Sequence, residues 1–377
     1  MTMNRRQAMA LLAGASALPA SFAFAADKLD KTTPLKDLAK NKGLRFGNAI
    51  ANAPNRFGDP AYRKLVAREC AVIVCENETK WQALQPAEGK FNFAPADEMF
   101  KWAKSEGMGI RGHTLLWYPE KWLPKWVLEH NYGANESQEA ERVLTTHITT
   151  TLKHFGKDIY SWDVVNEAID PATGKMRENP FGKRLGGVET LDLAFRLAKQ
   201  HAPHAQLVYN DYMRGDAGST KHRAGVLKLL AELKKKGTPV DALGLQSHIG
   251  SWDDVKDGKD ARREWKAFLD EATGMGLKLL ITEFDVNDRE LPGNIKKRDA
   301  GVAALTKDYL DLTLSYPQVT DFILWGMADH VSWLKDWYEA PRKDGLMIRG
   351  TPYDENMRAK PMREAIAASL KAMPMRA

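Results

Sequence analysis

Eight short apolar runs recur along the chain, each followed by a stretch with helical periodicity, and this alternation limits the fold more than any other feature of the sequence. The runs are Leu44–Ile50, Ala71–Glu76, Gly109–Thr114, Ile159–Asn166, Gln206–Asp211, Ala242–Ser247, Lys278–Glu283 and Asp321–Gly326. Several are apolar almost throughout, as in Leu277-Lys278-Leu279-Leu280-Ile281. That pattern fits parallel strands covered on both faces, since a strand with one wet face alternates. Between the runs, Val143, Leu144, Ile148, Leu152 and Phe155 recur at helical spacing, as do Trp265, Phe268, Leu269 and Ala272, and later Val302, Leu305, Tyr309 and Leu312. Ser137, and Ser219 or Thr220, stand where helix N-caps are expected, and Gly156, Gly237 and Gly276 where helices end. A last helix is expected from Pro361 to Ala372. Repeats of this kind without a linker predict α/β architecture of one type, a single-domain (β/α)8 TIM barrel. The competing open doubly wound sheet lacks a glycine-rich phosphate loop after the first strand.

The beginning of the chain reads differently. Asn4-Arg5-Arg6-Gln7 precedes a small apolar run, Ala8 to Leu18, and Ala23-Phe24-Ala25 forms a small-residue cleavage site. A charged start, a short apolar stretch and such a site make a signal peptide, here residues 1–25. The paired arginines point to the twin-arginine route, with an ordinary secretory signal as the alternative. The barrel then spans 26–377, and the mature protein is expected to be exported, either periplasmic or secreted. The apolar run is too short to span a bilayer, so no membrane association is expected after cleavage.

Charge and cysteine content remove other classes. The formal net charge is +6, but Lys and Arg are scattered apart from Lys234-Lys235-Lys236. A nucleic-acid surface would cluster them, so nucleic acid is not an expected partner. Cys70 and Cys75 alone cannot build a disulfide framework or a zinc knuckle, and they read as small buried side chains.

In a barrel of this type, function sits at the C-terminal strand ends. Trp162-Asp163-Val164-Val165-Asn166-Glu167 and Leu280-Ile281-Thr282-Glu283-Phe284-Asp285 each run from an apolar strand into a glutamate. One such glutamate is ordinarily a solvated or salt-bridged carboxylate. Two, on the fourth and seventh strands, meet at one mouth. Retaining glycosidases need such a pair, one to attack the anomeric carbon and one to protonate the leaving oxygen and then activate water. The acid must stay protonated near neutral pH, which the apolar surroundings of Glu167 and a nearby ionised Glu283 would favour. Gln246-Ser247-His248 ends the sixth strand, where His248 can hold Glu283 and be oriented by Asp285. Glu76, Asn77, Lys80, His113, Trp117, Tyr212, Trp325, Trp333, Trp337 and Tyr338 crowd the other tips and loops. Aromatic faces stack on sugar C–H surfaces, while amides, Lys and His bond hydroxyls, so this cleft suits an uncharged polysaccharide.

These segments resemble the family-10 glycoside hydrolases, the (β/α)8 endo-xylanases, in the expected order from Asn48 to about Met362. The most specific are Trp162-Asp163-Val164-Val165-Asn166-Glu167-Ala168 and Ile281-Thr282-Glu283-Phe284-Asp285, supported by Arg111-Gly112-His113-Thr114-Leu115-Leu116-Trp117 and Gly244-Leu245-Gln246-Ser247-His248. The resemblance implies Glu167 as acid/base, Glu283 as nucleophile, and Asn166 as the ligand of the 2-hydroxyl of the sugar under attack. It implies that Gln246 and His248 support the nucleophile. His113, Lys80, Trp117 and Trp325 would surround that sugar, Glu76 and Asn77 would take the next one on the glycone side, and Tyr212 and Trp333 would be aromatic binding positions. The sequence departs from the family at Tyr118-Pro119-Glu120, where His, a small polar residue and Gln are usual, and at Thr79, where Met is usual.

The expected function is therefore retaining hydrolysis of internal β-1,4 bonds in xylan and xylo-oligosaccharides, by a monomer, with no cofactor and no metal. Another retaining β-glycanase, acting on glucan or mixed-linkage chains, is the alternative within the same chemistry. A metal-dependent barrel enzyme and a non-catalytic sugar-binding barrel are the alternatives outside it.

Overall fold

The computed structural model describes residues 32–250, 258–337 and 341–376. The expected leader and Tyr338 lie outside the described residues. From Pro34 onward the chain forms one unit.

The eight expected strands form: β1 (Arg45–Ile50), β2 (Val72–Cys75), β3 (Gly109–Trp117), β4 (Ile159–Asn166), β5 (Gln206–Asp211), β6 (Ala242–Leu245), β7 (Lys278–Asn287) and β8 (Val319–Leu324). Each pairs in parallel with the next, and β8 pairs with β1 through Arg45↔Asp321 to Asn48↔Leu324, which closes the barrel. Leu279 to Asn287 is buried throughout, as a strand covered inside and out must be.

Three strands depart from their expected ends in a way that bears on function. β6 stops at Leu245, because Ser247 turns to a φ of 64°, and the chain resumes as a short strand, His248–Gly250. That segment pairs with the outer half of β7, His248 opposite Asp285, so β7 runs four residues further than its apolar run foretells. β3 likewise continues to Trp117 alongside Asn166 of β4.

The glycines Gly112 and Gly244 are where two barrel strands need space rather than flexibility. A Cβ on Gly112 would stand 2.2 Å from the Trp162 ring, and one on Gly244 would stand 2.2 Å from Asn210 Oδ1. Helix starts partly follow expectation. The helix Glu136–Phe155 is capped by Asn135, whose side chain accepts from Gln138 N, not by Ser137, which already lies inside the first turn. Ser219 precedes the helix Thr220–Lys235, but its hydroxyl accepts from Arg214 N instead. Gly156, Gly237 and Gly276 follow their helices with φ of 54°, 69° and 79°, and the final helix is Pro361–Ala372. Cys70 and Cys75 are free, buried thiols, the latter 3.7 Å from Met99 Sδ.

Candidate active site

Glu283 lies on the upper half of β7 and is only 5% exposed. Its Oε1 accepts from Asn210 Nδ2 at 2.8 Å, and its Oε2 lies 3.3 Å from His248 Nε2. Burial alone would push its pKa up. The charges of His113, His248 and Lys80, with the His248 hydrogen bond, outweigh burial and hold the carboxyl at about 2. His248 is the counterpart. Burial disfavours its charged form, but Asp285, 2.9 Å from Nδ1, and Glu283 raise it to about 10. At neutral pH His248 is an imidazolium donating to both carboxylates. Asp285 also accepts from Trp333 Nε1 at 2.6 Å, so the expected role of Asp285 in orienting His248 extends to Trp333.

Glu167 sits immediately beyond β4 with a φ of 61°, a conformation that costs a non-glycine residue energy and turns its side chain out of the strand line. Its Oε1 accepts from Gln246 Nε2 at 2.9 Å and Asn166 Nδ2 at 3.1 Å. Burial is the largest influence and raises its pKa, with Asp211 and Glu283 adding to the rise. The hydrogen bond from Gln246 and the nearby Trp117 indole oppose but do not reverse it. Two glutamates at one mouth are thus driven apart, one toward the neutral acid and one toward the permanent anion.

The amides around them join the two carboxylates. Asn166 Oδ1 accepts from Asn210 Nδ2 at 2.9 Å and from Gln246 Nε2 at 3.1 Å. The expectation that Gln246 supports the nucleophile is corrected here. The positive φ of Ser247 sends Gln246 and His248 to different carboxylates, so the Gln246 side chain serves Glu167, and only its carbonyl meets Glu283, accepting the backbone N–H at 3.0 Å. The donor that sequence reasoning missed is Asn210. It was visible as a polar strand tip, but nothing in its neighbours distinguishes it from Asp211 or Tyr212.

The flank on β2, β3 and β8 carries the sugar-binding candidates. The Lys80 ammonium lies 4.5 Å from the centroid of the Trp117 ring and 3.4 Å from Asn77 Oδ1, in the field of Glu283, Glu76 and Glu167. Burial lowers the pKa of Lys80. His113 is fixed by Asp163, 2.9 Å from Nδ1, which is itself bound to buried Arg111, and Trp325 meets the His113 ring edge-on at 5.2 Å. Thr79, in place of the usual Met, donates to the His113 carbonyl. Glu76 pairs with Arg56 at 3.2 Å. Tyr212 stands beyond Glu167, its hydroxyl accepting from Arg177 at 2.7 Å. Trp333 meets the site through Asp285, and Tyr212, held by Arg177, lies in the field of Glu167. Among the described residues no group of three or more His, Cys, Asp or Glu side chains is arranged to hold a metal ion.

A closed parallel barrel whose mouth carries an anionic glutamate and an acid-shifted one, set among aromatic rings, amides and a lysine, defines a glycoside hydrolase. The sequence matches Glycosyl hydrolase family 10 over residues 34–369. It is 31% identical to endo-1,4-beta-xylanase 1 of Humicola insolens over 343 residues, 89% of this chain and 74% of that protein. Native xylanase 10B of Thermotoga maritima superposes with a TM-score of 0.80 at 30% identity, covering 90% of this chain and 98% of that one. Xylanase 10B of Thermotoga petrophila, solved in complex with xylobiose, superposes with a TM-score of 0.79 at 30% identity over the same shares. The chain belongs to glycosyl hydrolase family 10, a retaining family.

Proposed function

We propose that this protein is an endo-β-1,4-xylanase that cleaves internal bonds of xylan by double displacement, exported through the twin-arginine route. The opposite pKa shifts of Glu167 and Glu283 carry this reading. Glu283, held anionic, attacks the anomeric carbon while Glu167 gives its proton to the departing glycosidic oxygen. With the leaving sugar gone, Glu167 is a carboxylate and takes a proton from the water that releases the glycosyl-enzyme, which restores the anomeric configuration. Asn166, flanked by Glu167, Gln246 and Asn210, is assigned to bond the 2-hydroxyl of the sugar under attack. His113, Trp117, Trp325 and Lys80 supply the walls around that sugar, with Glu76 and Asn77 further along the glycone side. Relatives named as xylanases, one of them solved with xylobiose, support xylan over other β-glycans.

The deciding experiment is product analysis on soluble xylan, carboxymethylcellulose and mixed-linkage glucan, with the anomer followed by early-time NMR. Xylan is expected to give xylo-oligosaccharides with the β anomer first. Faster release of reducing ends from either glucan, or the α anomer appearing first, would overturn the reading.

A further inference from the structure

The turn after β3 holds a second indole that none of the expected roles uses. Trp122 ends a short helical turn, Glu120–Trp122, and is 37% exposed, one of the few large apolar side chains at the surface. It lies against Trp117 with ring centroids 4.3 Å apart and planes 13° from parallel. The other face of Trp117 carries the Lys80 ammonium. Trp117 is thus enclosed on both faces, so it meets a bound sugar with its edge rather than its plane. Its indole N–H, which lies beside Glu167, is on that edge. The stack Lys80, Trp117, Trp122 forms a line that starts in the field of the two catalytic-site glutamates and ends at the surface. Only its last member is exposed, and its outward face carries the Lys121 ammonium alone.

The position of the turn gives that face a purpose. Pro119, Glu120 and Lys121 form one wall of a groove of about 450 Å³ whose opposite wall is the loop after β4, with Lys175, Met176 and Arg177. Trp122 is the next residue after that wall, at the border of the groove rather than in its lining. The exposed Lys121 ammonium rides 4.9 Å from the Trp122 centroid, where it can swing aside and donate to a hydroxyl. A flat, pre-positioned indole beside a mobile cation is built for the C–H face of a pyranose flanked by hydroxyls.

We infer that Trp122 is a sugar-binding platform, an outer subsite for a pyranose ring of the same β-1,4-linked chain, further from the scissile bond than the rings reached by Lys80 and Trp117. The inference rests on the xylanase reading and deepens it. Its test compares kcat/KM on xylotriose and xylohexaose for the wild type, Trp122→Ala and Trp122→Phe. The ratio of the hexaose value to the triose value is expected to fall about tenfold in Trp122→Ala, the scale of truncating an aromatic anchor, and to be largely kept in Trp122→Phe. An unchanged ratio overturns the inference. So does an equal loss on both oligomers, which would mean that Trp122 merely buttresses Trp117. A wild type that hydrolyses neither oligomer would instead defeat the xylanase reading itself.

Discussion

The Asn210 amide stands 2.8 Å from Glu283 Oε1, and nothing about its orientation is free. Its second amide proton goes to Asn166 Oδ1 at 2.9 Å, and its oxygen accepts from Thr282 Oγ1 at 2.7 Å. Asn210 is fully buried, so all three bonds lie out of water, where losing one costs more than at a surface. Glu283 Oε1 is therefore fixed by a side chain that is itself clamped, while Oε2 faces His248.

Gly244 makes this clamp possible. Substituting Gly244→Ala puts a Cβ 2.2 Å from Asn210 Oδ1, in a place where the barrel cannot give way. Displacing Asn210 removes one hydrogen bond to a charged group, so kcat on xylan is expected to fall roughly 10- to 100-fold. Overpacking should cost about 1–3 kcal/mol in denaturant unfolding. Gly274→Ala, in a helix with no atom within 4 Å of the added Cβ, is the control and should leave both values near wild type. Full activity in Gly244→Ala would remove Asn210 from the support of the nucleophile.

His248 sets the acid limb of the pH profile. Its positive charge and hydrogen bond help hold Glu283 at about 2, and the proposed attack needs Glu283 ionised. In His248→Gln the charge is gone, Glu283 titrates higher, and the acid limb of kcat/KM should move up by about one unit or more, the worth of a charge-assisted hydrogen bond. The stability effect has the opposite pH sense. His248 is raised to about 10 in the folded chain, so its stabilisation is complete below its unfolded value near 6.5 and fades as pH rises through 10. The wild type should lose stability between those limits relative to His248→Gln. A variant with an unmoved acid limb would show that His113 and Lys80 suffice.

The two glutamates should fail in different ways. Glu283→Ala leaves no group to form the covalent intermediate, and turnover of every substrate should drop by about 10⁵ or more, as when other enzymes lose their nucleophile. Glu167→Ala removes only proton transfer, so xylan hydrolysis should fall by about 10²–10⁴. Aryl glycosides with acidic phenols need no proton to depart and should keep their first step, with azide restoring the second. Equal losses on xylan and on such aryl glycosides in Glu167→Ala would contradict its assignment.

The strands and both glutamates were legible because each depends on local pattern: apolar runs such as Leu279 to Ile281, and a carboxylate where the run ends. The pairing of His248 with Asp285 was legible for the same reason, since both flank Glu283 at strand tips. What escaped depends on how neighbouring strands register. Gln246 turns to Glu167 and Asn210 takes up Glu283 because Ser247 turns to positive φ and because Gly244 leaves room beside Asn210. No periodicity reports a single turned backbone, and no residue type announces that its neighbour lacks a Cβ. Trp122 escaped differently. The turn that carries it departs from the family pattern just before it, and its stacking on Trp117 exists only once the turn is folded.

Export is the part of the reading that rests on sequence alone, and it has a direct test. Asn4-Arg5-Arg6-Gln7 followed by the run from Ala8 and by Ala23-Phe24-Ala25 has the makeup of a leader that carries folded cargo. Replacing Arg5 and Arg6 together by Lys keeps the charge but removes the paired guanidinium groups that the route requires. In a host with that route, the double variant should accumulate uncleaved in the cytoplasm, while the wild type appears outside it with an N-terminus near Ala26. Export of the double variant at the wild-type rate would point instead to the ordinary secretory pathway, whose signals need positive charge but not arginine.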